Sequence, residues 1–260
     1  MLPKILVALV IIIVLAVAGF IYKGPPSGGS TNENKTSDVT WETDDNGWRA
    51  RGNPPECPSP LILATPIDLS LVTGILYPGQ SRSGDYKAHG GFRFDSSSND
   101  DIIVKVPMDA VISDASRYIE MGEVQYMFDF VHACGIRYRF DHLLVLAPKF
   151  AKIAEGLPPA KIDDSRTTRV DPPVSVTTGE IIATSIGFRE TKNVGVDFGV
   201  YDLRKKNHAS QDSNWASQHP IHDQYAVCWF DLLSPEDGAK VKSLPPGDSK
   251  NGSKSDYCKP

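Results

Sequence analysis

The sequence predicts a mostly β domain, a compact sandwich or barrel, behind one N-terminal transmembrane helix. Three observations predict it. Short apolar runs alternate with turn residues from Pro54 to about Leu233. Gly 21 and Pro 20 among 260 residues supply many turns. Helical periods are few in the same stretch, so strands must build the core. Composition narrows the rest. With 40% apolar residues the chain does not read as a multispanning membrane protein. A net charge of −5 gives no nucleic-acid footprint. With 9% aromatics and 23% charged residues it is not a fully disordered chain either.

Taken in order, the first element is Ile5–Tyr22, an uncharged run between Lys4 and Lys23. Eighteen residues at about 1.5 Å each come close to the thickness of a bilayer core. One reading is a retained anchor over residues 1–23. The other is a signal peptide cut after Ala18, at Ala16-Val17-Ala18. The anchor is favoured because Gly19–Tyr22 continues the apolar run. Both readings put the remaining chain outside the cytoplasm, as a single-pass membrane protein or a secreted one. Beyond residue 23 there are 25 basic and 32 acidic residues, net −7, so bulk charge would not hold it to anionic lipid or polymer. Cys57, Cys134, Cys228 and Cys258 all lie in that part. An even count in an oxidising compartment predicts two disulfides, with three pairings open. Asn34 and Asn251 begin glycosylation sequons.

Residues 24–53 are rich in Gly, Ser, Thr and Asn and read as a flexible stalk. Residues 54–233 form the predicted domain. Residues 234–260 read as a flexible tail, tied down through Cys258. Within the domain, Ile102–Val106 and Val111-Ile112 flank a tight turn. The clearest hairpin runs over Glu123–Ala147. Period two puts Val124, Tyr126, Phe128, Phe130 and His132 on one face. Ala133-Cys134-Gly135 makes the turn. Ile136, Tyr138, Phe140, His142 and Leu144 then form the facing stripe, with Arg137, Arg139 and Asp141 pointing away. Lys149–Glu155 reads as a short helix and the stretch to Pro173 as a polar loop. Strands follow in Val174–Ala183 and Gly195–Leu203.

Five motifs in succession carry a resemblance. They are Ala88-His89-Gly90-Gly91-Phe92-Arg93-Phe94-Asp95, Val106-Pro107-Met108-Asp109-Ala110, Arg139-Phe140-Asp141-His142-Leu143, Val176-Thr177-Thr178-Gly179-Glu180 and Val196-Asp197-Phe198-Gly199. Their order and spacing over Gly74–Leu203 resemble the lysostaphin/LytM-type zinc endopeptidases. The resemblance implies the duplicated hybrid motif fold and a site that cuts cell-wall peptides. In that family, zinc is held by the His and Asp of H-x-x-x-D and by the second His of H-x-H. Here His89 matches the first ligand. The aspartate position is Arg93, which cannot ligate a metal. The H-x-H stretch is Gly195-Val196-Asp197, so Asp197 replaces a ligand. His142 matches the histidine that helps activate water.

Two of the three ligand positions are thus changed, and a catalytic zinc needs three. The favoured reading is a non-catalytic envelope-binding or scaffolding module with a degraded metal site. His89, Arg93, Asp95, His142 and Asp197 would line its cleft. An Arg93–Asp197 ion pair is expected to stand in for the metal, so no cofactor is expected. Arg93 would offer its fork to a ligand carboxylate. Expected partners are the membrane, through the N-terminal helix, and a cell-envelope peptide or partner protein. The opposing reading is an active zinc endopeptidase with His89, Asp197 and Asp95 on the metal and His142 as base. A third is a purely structural surface protein.

Bland readings stand beside these. His89 is explained equally by a turn next to two glycines, and His142 by a satisfied core position. Gln218-His219-Pro220-Ile221-His222-Asp223 is not the H-E-x-x-H motif, and Pro220 interrupts a helix. It reads first as a polar loop. A metal site shared by His132, His219 and His222 is the sharper alternative. There is no G-x-S-x-G elbow and no P-loop.

Overall fold

The computed structural model describes residues 39–258, so the apolar run Ile5–Tyr22 and the sequon at Asn34 lie outside the described residues. Among the described residues no helix is long and apolar enough to cross a membrane. The fold is all-β in class. Its strands are β1 (Thr40–Asp44), β2 (Gly47–Arg51), β3 (Gly74–Leu76), β4 (Gln80–Arg82), β5 (Asp85–Lys87), β6 (Gly90–Arg93) and β7 (Val104–Lys105). They continue as β8 (Ala110–Glu120), β9 (Glu123–His132), β10 (Ile136–Leu146), β11 (Thr168–Val176), β12 (Ile181–Ile186) and β13 (Gly195–Asp202). Three short helices accompany them: α1 (Pro148–Glu155), α2 (Ser213–Gln218) and α3 (Pro235–Ser243).

Nine strands form one antiparallel sheet, ordered β11-β8-β9-β10-β13-β6-β3, with β12 on β10 and β7 on β12. Its centre is the predicted hairpin, β9 and β10. Phe128, Phe130, Tyr138 and Phe140 are fully buried, as period two requires. Gly135 closes the turn at φ +97°, a conformation that favours glycine. The predicted stripe fails at its end. A register shift between Phe140 and Leu143 inserts a bulge, and His142 takes φ +61°. Leu143 is therefore the buried residue, and His142 turns to the face that carries Arg137, Arg139 and Asp141. At this bulge β10 forks. Its first half pairs with β13 through Asp141↔Asp197, and its second half pairs with β12 from Leu143 onward.

Three segments differ from the sequence reading. The stretch to Pro173 was expected to be polar loop, yet β11 begins at Thr168 and pairs with β8. The stretch 24–53 was expected to be stalk throughout, yet β1 and β2 pair as a hairpin within it. Trp41 fixes that hairpin, donating its Nε1–H to the Ala133 carbonyl at 3.0 Å. The flexible tail expected at 234–260 is instead built into the fold over its described residues, 234–258. Helix α3 is capped by the Ser234 hydroxyl, and Tyr257 is buried. The cysteines pair as Cys57–Cys134 and Cys228–Cys258. The second bridge lets the C-terminal segment clasp the edge of the sheet. Ile75 and Gly247 donate to the Pro245 and Ile75 carbonyls, which covers edge strand β3. Asp256 donates its N–H to the Gly79 carbonyl, and Asn251 Nδ2 donates to the Ser81 carbonyl at 2.5 Å.

Candidate functional site

A groove of about 1370 Å³ runs over the sheet face opposite the aromatic core. Beneath it Phe92, Phe140, Phe198 and Trp229 pack in stacked, tilted and edge-to-face pairs at 4.8–5.2 Å between ring centres, giving β6, β10 and β13 a stiff base. The groove is lined by His89, Arg93, Tyr118, Glu120, Asp141, His142 and Asp197, among others.

Asp197 sits at the centre. His89 Nε2 donates to Asp197 Oδ2 at 2.8 Å, and His142 Nε2 lies 3.7 Å from the same oxygen. Close backbone approach brings His89 there. Gly91 faces Asp197 across β6 and β13, and a Cβ at Gly91 would lie 2.6 Å from the Val196 carbonyl oxygen. A Cβ at Gly199 would lie 2.7 Å from the His89 Cβ. Arg82 holds the loop from behind, donating to the carbonyls of Tyr77 and His89 at 2.8 and 3.0 Å. Burial pulls the Arg82 pKa down, against the pull of Asp197.

Burial alone would push the Asp197 carboxyl up. His89, His142 and Arg82 outweigh it and hold the group well below the carboxylate range. Burial likewise pulls His142 down, while Asp141, Asp197 and Glu120 raise it above its ordinary value. Tyr118 orients this end. Its hydroxyl donates to Asp141 Oδ1 at 2.6 Å and lies 3.5 Å from His142 Nδ1. Burial, then Asp141, push the phenol pKa far up, so Tyr118 stays protonated. Asp141 Oδ1 also accepts the His142 N–H at 2.8 Å, the amide that the bulge removes from the ladder.

The expected Arg93–Asp197 pair is not formed. In the β6–β13 register Arg93 faces Gly195 and Asp197 faces Gly91, with the Phe92–Val196 pair between, so the two side chains sit two residue pairs apart along the ladder. Arg93 instead donates to Asn193 Oδ1 at 2.6 Å and to Asp95 Oδ1 at 2.9 Å. Asp95 is spent on Arg93 and Thr73, away from Asp197. The partner of Asp197 in the cleft is His89, at 2.8 Å. Tyr118, Arg82 and Asn193 carried no sequence signal, because each acts through a neighbour that only the fold supplies.

Three other histidines, His132, His219 and His222, are accounted for locally. His219 and His222 flank the buried Asp223 at 3.7 and 3.0 Å. His219 also stacks on Trp215. His132 Nδ1 accepts the Cys134 N–H at the hairpin tip. Among the described residues no group of three His, Cys, Asp or Glu side chains is arranged to hold a metal ion.

No protein-family model matches the chain, and no curated protein matches it. Among solved structures, Helicobacter pylori Csd3 matches with 11% identity over 78% of this chain, at a TM-score of 0.35. The chain spans 45% of that protein's length.

Proposed function

We propose that the protein is an envelope-located, LytM-like binding or scaffolding module whose groove takes a peptide without cutting it. The observation that carries this reading is the closed His89–Asp197 pair, together with an Arg93 locked by Asp95 and Asn193. The resemblance implies zinc, and the residues do not fit it. A catalytic zinc needs three protein ligands and an open position. One ligand position here is a fixed cation, and Gly195 offers no side chain where the family has its first H-x-H histidine. What remains is a cleft with a carboxylate, two imidazoles, a phenol and several guanidiniums, suited to hydrogen-bonding a peptide backbone. Two disulfides fit an oxidising compartment outside the cytoplasm. The apolar run Ile5–Tyr22 would tether the domain there.

Metal analysis of the purified protein tests the reading most directly. We expect no stoichiometric zinc and no hydrolysis of a glycine-rich peptide. One zinc per chain, retained through dialysis, would sink it. Sedimentation with isolated bacterial envelopes supplies the positive arm. Binding should fall at least about tenfold in Asp197→Asn, the loss expected from removing a charged hydrogen-bonding group.

A further inference from the structure

The groove has a second polar centre, of which only Arg139 falls within the motifs that carry the resemblance. Asp129 on β9 is fully buried and faces Arg139 across the β9–β10 ladder. Arg139 Nε and Nη2 donate to its two oxygens, both at 2.8 Å. Arg137 Nη2 lies 2.8 Å from Oδ2 as well. Burial would raise the Asp129 pKa, but the two guanidiniums overcome it and keep the group ionised. Two fixed cations therefore share one carboxylate. Their ten N–H donors far exceed the lone pairs of Asp129. Both arginines line the groove, with side chains 12% and 22% exposed. Arg137 packs against the rings of Trp48 and Tyr201, at 5.7 and 5.3 Å, so it is held in place.

Nearby acids do not cancel the excess by contact. Asp141 is held by Tyr118 and the His142 amide. Asp114 on β8 lines the groove, yet among the described residues it forms no ion pair. Arg166 on the rim is bound to Asp164. A structural pair needs only Arg139, whose fork already satisfies both Asp129 oxygens. Arg137 is the surplus charge.

Register fixes its place relative to the other centre. Asp141, Arg139 and Arg137 face Asp197, Gly199 and Tyr201 in turn. Each step is two strand residues, about 7 Å. An extended peptide has the same repeat. We propose that Arg137 and Arg139 form a carboxylate subsite, and that the groove selects peptides with an acidic residue about 7–14 Å from the group held at His89, His142 and Asp197. This rests on the peptide-cleft reading and deepens it by naming the ligand class.

The test is calorimetric titration of the full chain with acetyl-Ala-Glu-Ala-amide and with its Gln counterpart. The Glu peptide should bind about tenfold tighter, the gain of one charge-assisted hydrogen-bonded pair. The preference should shrink as salt is raised. In Arg137→Gln the Asp129–Arg139 fork remains, so the fold is kept, and the two peptides should bind alike. Equal binding of both peptides to the wild type overturns the subsite, as does a Glu preference that survives Arg137→Gln. If both bind equally and Asp197→Asn abolishes both, the cleft reading stands and the subsite alone falls. If neither binds at millimolar concentration, both readings fall.

Discussion

Asp197 is buried beside two imidazoles and the guanidinium of Arg82, and after Asp141 its charge helps raise the pKa of His142. Its folded pKa is depressed, so its contribution to stability is present above the ordinary carboxylate value of 3.8 and is lost as pH falls through the folded value. His142 runs the other way. Its folded pKa is raised, so its contribution is complete below 6.5 and is lost as pH rises through the folded value. The two together predict greatest stability between the ordinary carboxylate and imidazole values. In an imidazole proton NMR titration His142 should have a midpoint above 6.5, and Asp197→Asn should move it down. A midpoint unmoved by that change contradicts the coupling. Asp129 is the costlier residue to lose. Asp129→Ala leaves two guanidiniums without their acceptor and should cost about 3–5 kcal/mol in urea unfolding.

At the scale of elements, the β9–β10 hairpin was legible because its period-two aromatics hold from Phe128 to Phe140 and its turn ends in glycine. The bulge at Asp141–His142 was not. Alternation predicts the face of a residue only while the register holds, and one inserted residue reverses every later side chain. The same limit hid the partner of Arg93. Sequence placed Arg93 and Asp197 at matching family positions, but the β6–β13 register separates them by two residue pairs. The polar stretch around β1 and β2 concealed a hairpin because its anchors, Trp41 and Trp48, are isolated aromatics without periodic neighbours. At the His89-Gly90-Gly91 motif, read from sequence only as a turn, the structure adds close backbone approach. A Cβ at Gly90 would lie 2.3 Å from the Leu76 carbonyl oxygen, which cannot swing aside. Gly90→Ala should therefore force β6 off β3 and displace His89. Thermal unfolding should show a loss of about 1–3 kcal/mol, and the cleft should lose its ligand.

Across the whole molecule, two bridges bind distant segments to the sheet. Cys57–Cys134 spans 77 residues and ties the approach to β3 to the central hairpin tip. Cys228–Cys258 closes the clasp over β3, the β4–β5 hairpin and the groove wall at Gly247–Lys250. Replacing Cys228 and Cys258 together by serine should cost about 2–5 kcal/mol. The loss should be local at first: limited proteolysis should cut within 245–256 before it reaches the hairpin of β9 and β10. A first cut in the hairpin would show that the clasp is not a separate unit.

The clasp also bears on the sequon at Asn251. Its Nδ2 is the atom to which a glycan would attach, and in the folded chain that atom donates to the Ser81 carbonyl and to Asp248. A sugar leaves that nitrogen a single N–H, so it cannot be attached while both hydrogen bonds are kept. In a glycosylating secretion host, Asn251 would carry sugar only on chains modified before they folded. Those chains would emerge with the C-terminal wall of the groove displaced. Recombinant material from such a host would divide into two populations, and only the unglycosylated one would have an intact cleft.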